Sequence, residues 1–431
     1  MGHGRDNVPT STPTMICIIA SGNFLSTYGG GQVYVRQVVA ALRRRLGAGQ
    51  VAVISCDPTF PASPRHSDHD GVALHEVNPH ADGARDALVA LLRRLAPQVV
   101  HINGEKPLFA SLCHQLGLRS VVTAHHGGIV CPAGTLLNAR DEICHVPASP
   151  TGCLPCYLRN IRTGSLWFPF LKRCSTDRYV AFGRWLRGKP FIPFLSPIGG
   201  AALAVHEKLE AWHTLQANAD LFIAPSPAMR DALVRNGARP EQTTLVPHGT
   251  PPHADQPPQV RSGLYYAGRI CYVKGIHILL AAFHALPTET TLHLIGGANS
   301  HADMRYMRRL QRKYRKDRRI VWHGKVPLDR MHEATQGLAA LVHPTICLEV
   351  FGLNIAEALS QGQWVIATRC GGAEAQITDG ENGTLVPPND PIALRAALQA
   401  YLAQPRQPHG SHVLSVEEHV SLLLETYRIR Q

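Results

Sequence analysis

Glu349 and Glu357 stand eight residues apart around a Phe351-Gly352 step. An apolar strand, Ala339 to His343, precedes them and is closed by Pro344. The spacing after it predicts a helix from Gly352 to Ser360. On such a helix Glu357 lies roughly 12 Å beyond Glu349, at about 1.5 Å per residue. One ligand could cross the helix start and touch both carboxylates. A helix start presents free N–H groups and a partial positive charge, which suit phosphate. The stretch therefore reads as a site for a ligand with phosphates in the middle and hydroxyls at both ends, such as a sugar nucleotide. The plainer reading is a buried helix start with two capping or solvated acids.

Three further local patterns carry chemistry. Gly29-Gly30-Gly31 follows an apolar strand and opens a helix, so backbone N–H groups can approach a phosphate or sugar closely. Taken alone, three glycines are more often a turn. Gly268-Arg269 and Lys274-Gly275 lie between a strand and a helix. Arg supplies a fork and Lys a point charge, which together can neutralise a diphosphate. Their plainer reading is solvated surface charge. Gly371-Gly372-Ala373-Glu374, then Asp379-Gly380-Glu381-Asn382-Gly383, reads as a glycine turn, a short helix and a hairpin-like turn.

The elements needed to position these residues are legible as strands alternating with amphipathic helices. Strands are expected at Met15 to Ala20, Val51 to Ser55, Val99 to Ile102 and Ser120 to Ala124, with helices at Val33 to Leu46 and Ala84 to Leu95. A second series starts at Leu264 to Gly268 and continues through Thr291 to Ile295, Ile320 to His323 and Trp364 to Thr368. Continuous apolar, β-branched strands argue parallel sheets covered on both faces. Pro251, Pro252, Pro257 and Pro258 follow Pro247 and mark a linker at 251–262. The expected organisation is a polar, disordered 1–13, a first α/β domain at 14–250, a second at 263–410, and a C-terminal helix within 411–431 that packs back on the first domain.

The chain has 431 residues, too many for one ordinary core. Apolar content is 45% and charged content 17%, normal for globular domains. No run of about 20 apolar residues exists, and the start lacks the apolar stretch of a secretory signal. The reading is a cytoplasmic protein. A net charge of +12 suits anionic partners. The densest cluster, Arg305 to Arg319, is read as a solvated helix face. No nucleic-acid motif accompanies it, so nucleic acid is not expected as a partner.

In order and spacing, these motifs resemble the retaining glycosyltransferases of family 4, the glycosyl transferases of group 1. The resemblance covers nearly all of the second domain and scattered points of the first. It implies a GT-B fold, two Rossmann-like domains facing a central cleft. It also implies a UDP- or GDP-linked sugar donor, a hexose-type sugar, and a glycan, lipid-linked or other small acceptor, with no catalytic metal. Arg269 and Lys274 would contact the diphosphate, with backbone N–H groups beside Phe351, Gly352 and Leu353. Glu357 would hold the ribose and Glu349 the sugar hydroxyls. Gly30 and Gly31 would form the opposite wall. Val121-Val122-Thr123-Ala124-His125 resembles the family strand that ends in a histidine near the transferred sugar, which favours His125 over His126. His248-Gly249 resembles the family step before the linker and is read as a turn. A catalytically silent scaffold of the same fold is the competing reading.

The region 131–200 departs from the pattern and reads as an insert without regular structure. It carries Cys131, Cys144, Cys153 and Cys156, the last two as a CxxC knuckle. Four thiolates could close a structural zinc site. Core packing or a redox pair are the alternatives. Aromatics beside cations (Trp167, Phe168, Phe170, Trp185, Phe191, Phe194) suit an acceptor lid, an anionic membrane surface at the inner face, or simple packing.

Overall fold

The computed structural model describes residues 15–25, 30–161, 176–187, 196–251, 261–327, 330–410 and 413–428. The expected disordered start, Gly29, most of the linker and most of the insert's aromatics lie outside them.

The first sheet has eight strands: β1 (Ile16–Ser21), β2 (Val51–Cys56), β3 (Arg65–His69), β4 (Val72–Val77), β5 (Val99–Ile102), β6 (Ser120–Thr123), β7 (Leu221–Ala224) and β8 (Thr243–Leu245). Their order is β3-β4-β2-β1-β5-β6-β7-β8. All pairings are parallel except β3 with β4. The second sheet holds β9 (Leu264–Ala267), β10 (Leu292–Ile295), β11 (Ile320–Gly324), β12 (Ala340–His343), β13 (Trp364–Thr368) and β14 (Gly383–Val386). It is parallel in the order β11-β10-β9-β12-β13-β14. Ile16 to Ala20 and Val51 to Ile54 are buried along their whole length, as strands covered on both faces must be.

Strand order reverses between β1 and β5 in the first sheet, and between β9 and β12 in the second. Such switch points open a crevice at the carboxyl ends of the strands, where α/β sheets bind ligands. The Gly30–Gly31 loop follows β1, Arg269 follows β9, and Glu349 follows β12.

The helices used below are α1 (Gly30–Leu46), α2 (Ala84–Leu95), α3 (Lys106–Leu116), α4 (Pro150–Ile161), α5 (Thr176–Arg187), α6 (Ser196–Asn218), α7 (Pro227–Arg235), α8 (Ile276–His284), α9 (His301–Lys313), α10 (Leu353–Ser360), α11 (Pro391–Ala403) and α12 (Val416–Arg428). On α12, Val416, Val420, Leu423, Leu424 and Tyr427 are buried in one core with Ile16, Val38 and Leu42 of the first sheet's layer. Each such side chain contributes about 1.5–3 kcal/mol when fully buried. The chain crosses beside Thr250, whose N–H donates to the Leu414 carbonyl at 2.9 Å and whose carbonyl accepts from Val416 N–H at 3.0 Å.

Two expectations need correction. The insert is irregular only in its first part, 131–149; beyond that, α4, α5 and the start of α6 occupy its described residues. Proline, cysteine and cation content masked a helical pattern in which Leu154 and Leu158 pack on Ala201, Val205 and Leu209. The hairpin β3–β4 lacks an alternating pattern because every residue of Arg65–His69 is exposed at the sheet edge. Its signal was Asp70-Gly71, both in the left-handed region at φ 51° and 74°, as a two-residue hairpin turn requires. The basic run is a solvated face as read, apart from Arg319. That guanidinium donates to Asp317 at 2.8 and 2.7 Å and to the Leu286 and Thr288 carbonyls at 2.7 and 2.9 Å.

Candidate active site

The loop after β12 is built to hold Glu349 still. Its N–H donates to the Cys370 carbonyl at 2.7 Å, and its carbonyl accepts from Gly372 N–H at 2.8 Å. Gly372 has no alternative, because a Cβ there would lie 2.5 Å from the Phe351 carbonyl oxygen. Gly352 then turns the chain into α10 at φ 86°, with no side chain capping the helix start. Within that first turn, Ile355 N–H donates back to the Gly352 carbonyl at 2.9 Å, and among the described residues no side chain takes the N–H groups of Leu353 and Asn354.

The Glu349 carboxylate pairs directly with the Lys274 ammonium. It also accepts from His343 Nε2 at 3.1 Å. His343 sits at the end of β12, only 1% exposed, with Nδ1 3.1 Å from Asn354 Nδ2. Burial alone would raise the Glu349 pKa. The Lys274 charge and the His343 bond outweigh it and hold the carboxylate well below its usual range. Lys274 is the mirror case: burial pulls it down, Glu349 pulls it up, and the net is upward. Both side chains keep a window to the cleft, at 18% and 16% exposure. Lys274 is brought there by Gly275, whose added Cβ would lie 1.9 Å from the Pro344 carbonyl.

Arg269, on the loop after β9, is exposed and in no ion pair among the described residues. Glu357 lies on the second turn of α10 with no hydrogen-bond partner among the described residues. Burial raises its pKa to about 7.

Facing them, His125 ends β6. Its Nε2–H donates to Asn103 Oδ1 at 2.6 Å, which leaves Nδ1 with the lone pair. Burial, then His248 and Lys106, keep it neutral far below its ordinary pKa. His248 is not simply a turn residue. It is 4% exposed, and its ring lies 4.2 Å from Tyr34, 5.4 Å from His125 and 5.2 Å from Phe351. The Phe351 contact carries the Glu349 loop onto the first domain. Tyr34 is fixed in turn by His419 of α12: the Tyr34 hydroxyl lies 2.8 Å from Nε2, while Nδ1–H donates to the Pro247 carbonyl at 2.7 Å. His126 lines the same cavity of about 510 Å³ as His125 and Gly31.

The structure thus unites Lys274, Glu349, Phe351 and Gly352 on one wall. Gly31 and His125 share the other, beside Gly30 at the start of α1. His343, Asn354, Asn103, Tyr34 and His248 were not singled out as functional from sequence. His343 carried a usable signal, a polar residue ending an apolar strand.

The four cysteines are free thiols. Cys153 and Cys156 lie on α4, not in a knuckle, and each feels the charges of Cys131 and Cys144. Among the described residues no group of three or more His, Cys, Asp or Glu side chains is arranged to hold a metal ion. Trp185 of the insert is half exposed. Among the described residues no helix is long and apolar enough to cross a membrane.

Residues 29–249 match the glycosyl transferase 4-like domain family, and residues 257–410 match glycosyl transferases group 1. The chain belongs to the glycosyl transferase 4-like family, and its second domain is of the group 1 glycosyl transferase type. A D-inositol 3-phosphate glycosyltransferase of Xylanimonas cellulosilytica is 30% identical over 196 residues, covering 45% of this chain and 44% of that one. Glycogen synthase of Mycobacterium tuberculosis is 27% identical over 217 residues, covering 48% and 51%. The chain spans about half the length of these curated relatives. Among solved structures, HepE of Anabaena in complex with UDP and glucose superposes with a TM-score of 0.64 at 16% identity, covering 97% of this chain and all of that one. Sucrose-phosphate synthase of Thermosynechococcus elongatus gives 0.62 at 21% identity, covering 96% and 94%. The likeness at these identities is one of fold, GT-B, with two parallel sheets facing a cleft.

Proposed function

We propose that this glycosyl transferase moves a hexose-type sugar from a UDP- or GDP-linked donor to an acceptor hydroxyl, with retention of configuration and without a catalytic metal. One observation carries the reading: Lys274 pairs with Glu349 beside the uncapped start of α10, and Phe351 of the same loop packs on His248, whose ring lies 5.4 Å from His125. The donor diphosphate would lie on Arg269, Lys274 and the first N–H groups of α10. As the glycosidic bond breaks, negative charge grows on the departing phosphate, and these groups are already aimed at it. Their charge would do what a divalent cation does elsewhere. Glu349 would take the sugar hydroxyls and Glu357 the ribose. His125, neutral and fixed by Asn103, would face the transferred sugar. The departing phosphate oxygen would accept the acceptor's proton on the same face, which keeps the configuration.

The relatives' printed names refer to inositol phosphate, glycogen and sucrose phosphate, so no acceptor transfers from them to this chain. The test is a panel of UDP- and GDP-sugars, scored by donor hydrolysis and by the anomeric configuration of the product. One donor consumed, with configuration retained and loss in Arg269→Ala, is expected. No consumption of any donor, and no stabilisation by UDP or GDP, would leave a silent scaffold of the same fold.

A further inference from the structure

The 510 Å³ cavity lies wholly in the first domain. Its floor is apolar, with Phe24 and Trp212 buried beneath it. Its walls are cationic. Lys106 opens α3, half-buried, and spends one hydrogen on the Asn103 carbonyl at 2.5 Å. Lys208 reaches in from α6, and His126 stands between the two helices' contributions. Among the described residues no ion pair holds either lysine. The one carboxylate on the lining, Glu105, is engaged at the rim by His80 Nε2 at 3.2 Å.

Two helix starts open on the same space. The first turn of α1 contains no acid. Glu105, the residue before α3, makes no capping bond and is held in the left-handed region at φ 46°. The α3 start therefore has no side-chain cap, and with Pro107 in its first turn it offers fewer N–H groups than an ordinary helix start. Burial of the Lys106 ammonium pulls its pKa down to about 8. The protein walls, then Lys106, Lys208 and Arg269, pull His126 down to about 4. The adjacent Glu105 carboxylate offsets part of the Lys106 charge, and with Lys208 the lining still carries a net positive charge. A neutral sugar would leave that excess unbalanced, whereas a group with several charged oxygens would meet both lysines at once.

We infer that this cavity takes an acceptor bearing a phosphate group close to the hydroxyl that receives the sugar, held by Lys106 and Lys208. The inference rests on the glycosyl-transfer reading of the cleft, since it makes the cavity the acceptor side of that reaction. The phosphate can belong to a soluble sugar phosphate or to a lipid diphosphate, because the recognising chemistry is the same.

Inorganic phosphate is the first probe, titrated at constant ionic strength against the full chain, with UDP and GDP titrated separately. Saturable phosphate binding is expected, weakened at least tenfold in Lys208→Gln and in Lys106→Met, with nucleotide affinity changed less than twofold. Lys208 is exposed, so its variant should fold even where Lys106→Met does not. Phosphate binding that survives both lysine changes but is lost in Arg269→Ala would place the ion on the donor wall and overturn the inference. Absence of saturable phosphate binding would overturn it as well. Absence of nucleotide binding would instead defeat the donor reading, whatever phosphate does. Competition by glucose 1-phosphate would identify a soluble acceptor. Competition only by vesicles carrying a polyprenyl diphosphate sugar would identify a lipid-linked one. Either competition supports the phosphate assignment.

Discussion

Lys274 and Glu349, seventy-five residues apart in the chain, form one buried ion pair at the mouth of the cleft. Both had been read as separate ligand contacts, one for phosphate and one for sugar. Their pairing means that neither waits as a bare charge. On the proposed reading, a donor diphosphate arriving at Lys274 would share the ammonium with Glu349 and loosen the pair, freeing carboxylate oxygens for sugar hydroxyls. Donor binding and Glu349 release would then be one event.

Breaking the pair from one side should cost stability as well as activity. Lys274→Ala leaves the mostly buried Glu349 carboxylate with the His343 ring and the Thr345 hydroxyl as partners and no cation, and a loss of about 3–5 kcal/mol is expected. Lys274→Met with Glu349→Gln removes both charges and should recover most of that stability while transfer stays absent. Urea denaturation of the two variants decides it. Equal stability of Lys274→Ala and wild type would contradict the pairing.

Arg269 should behave differently, because it is exposed and in no ion pair among the described residues. Arg269→Ala is expected to change stability by less than about 0.5 kcal/mol. Donor turnover should fall about 100-fold or more, the usual loss for one charge-stabilising donor. Initial rates with the donor identified by the panel, beside a melting curve, provide the check.

Glu357 should make stability depend on pH in an unusual direction. Its folded pKa is raised from the ordinary 4.5 to about 7 by burial. The native state therefore holds this proton more tightly than the unfolded chain does. The stabilising contribution is full below about pH 4.5 and is lost as pH rises through about 7, by roughly 3 kcal/mol at about 1.4 kcal/mol per unit. Glu357→Gln should lack that loss. The buried histidines act in the opposite sense. His101 and His419 are pulled down to about 3 and about 4 by burial, so their contribution is present above pH 6.5 and lost below it. Denaturation at pH 4.5 to 8 in both proteins isolates Glu357 in the difference. Parallel curves would refute its assignment as a buried, unpaired acid.

Two glycines should separate structural from ligand constraints. Gly275, at φ 67° and against the Pro344 carbonyl, should lose several kcal/mol as Gly275→Ala. A Cβ on Gly31 meets nothing within 4 Å. Gly31→Ala should fold as well as wild type and still lose donor turnover if a ligand lies against that backbone. Unimpaired turnover would remove Gly31 from the site.

The amino-acid order alone specified the alternation of strands and helices, the two-sheet class and the loops that carry Arg269, Lys274, Glu349 and His125. Those are local properties: apolar runs, glycines at sharp turns and helix starts after strands. It did not specify partners. That Lys274 meets Glu349, that His343 braces it, and that His248 joins Phe351 to His125 depend on where β9, β12 and the chain before the linker come together. The helical insert and the exposed β3 were equally hidden, the first by unusual composition and the second because an edge strand needs no apolar face. The charge of the cavity was hidden for the same reason. Lys106 and Lys208 lie on different helices, and only the packing of α3 and α6 around β6 turns two unremarkable lysines into one cationic wall.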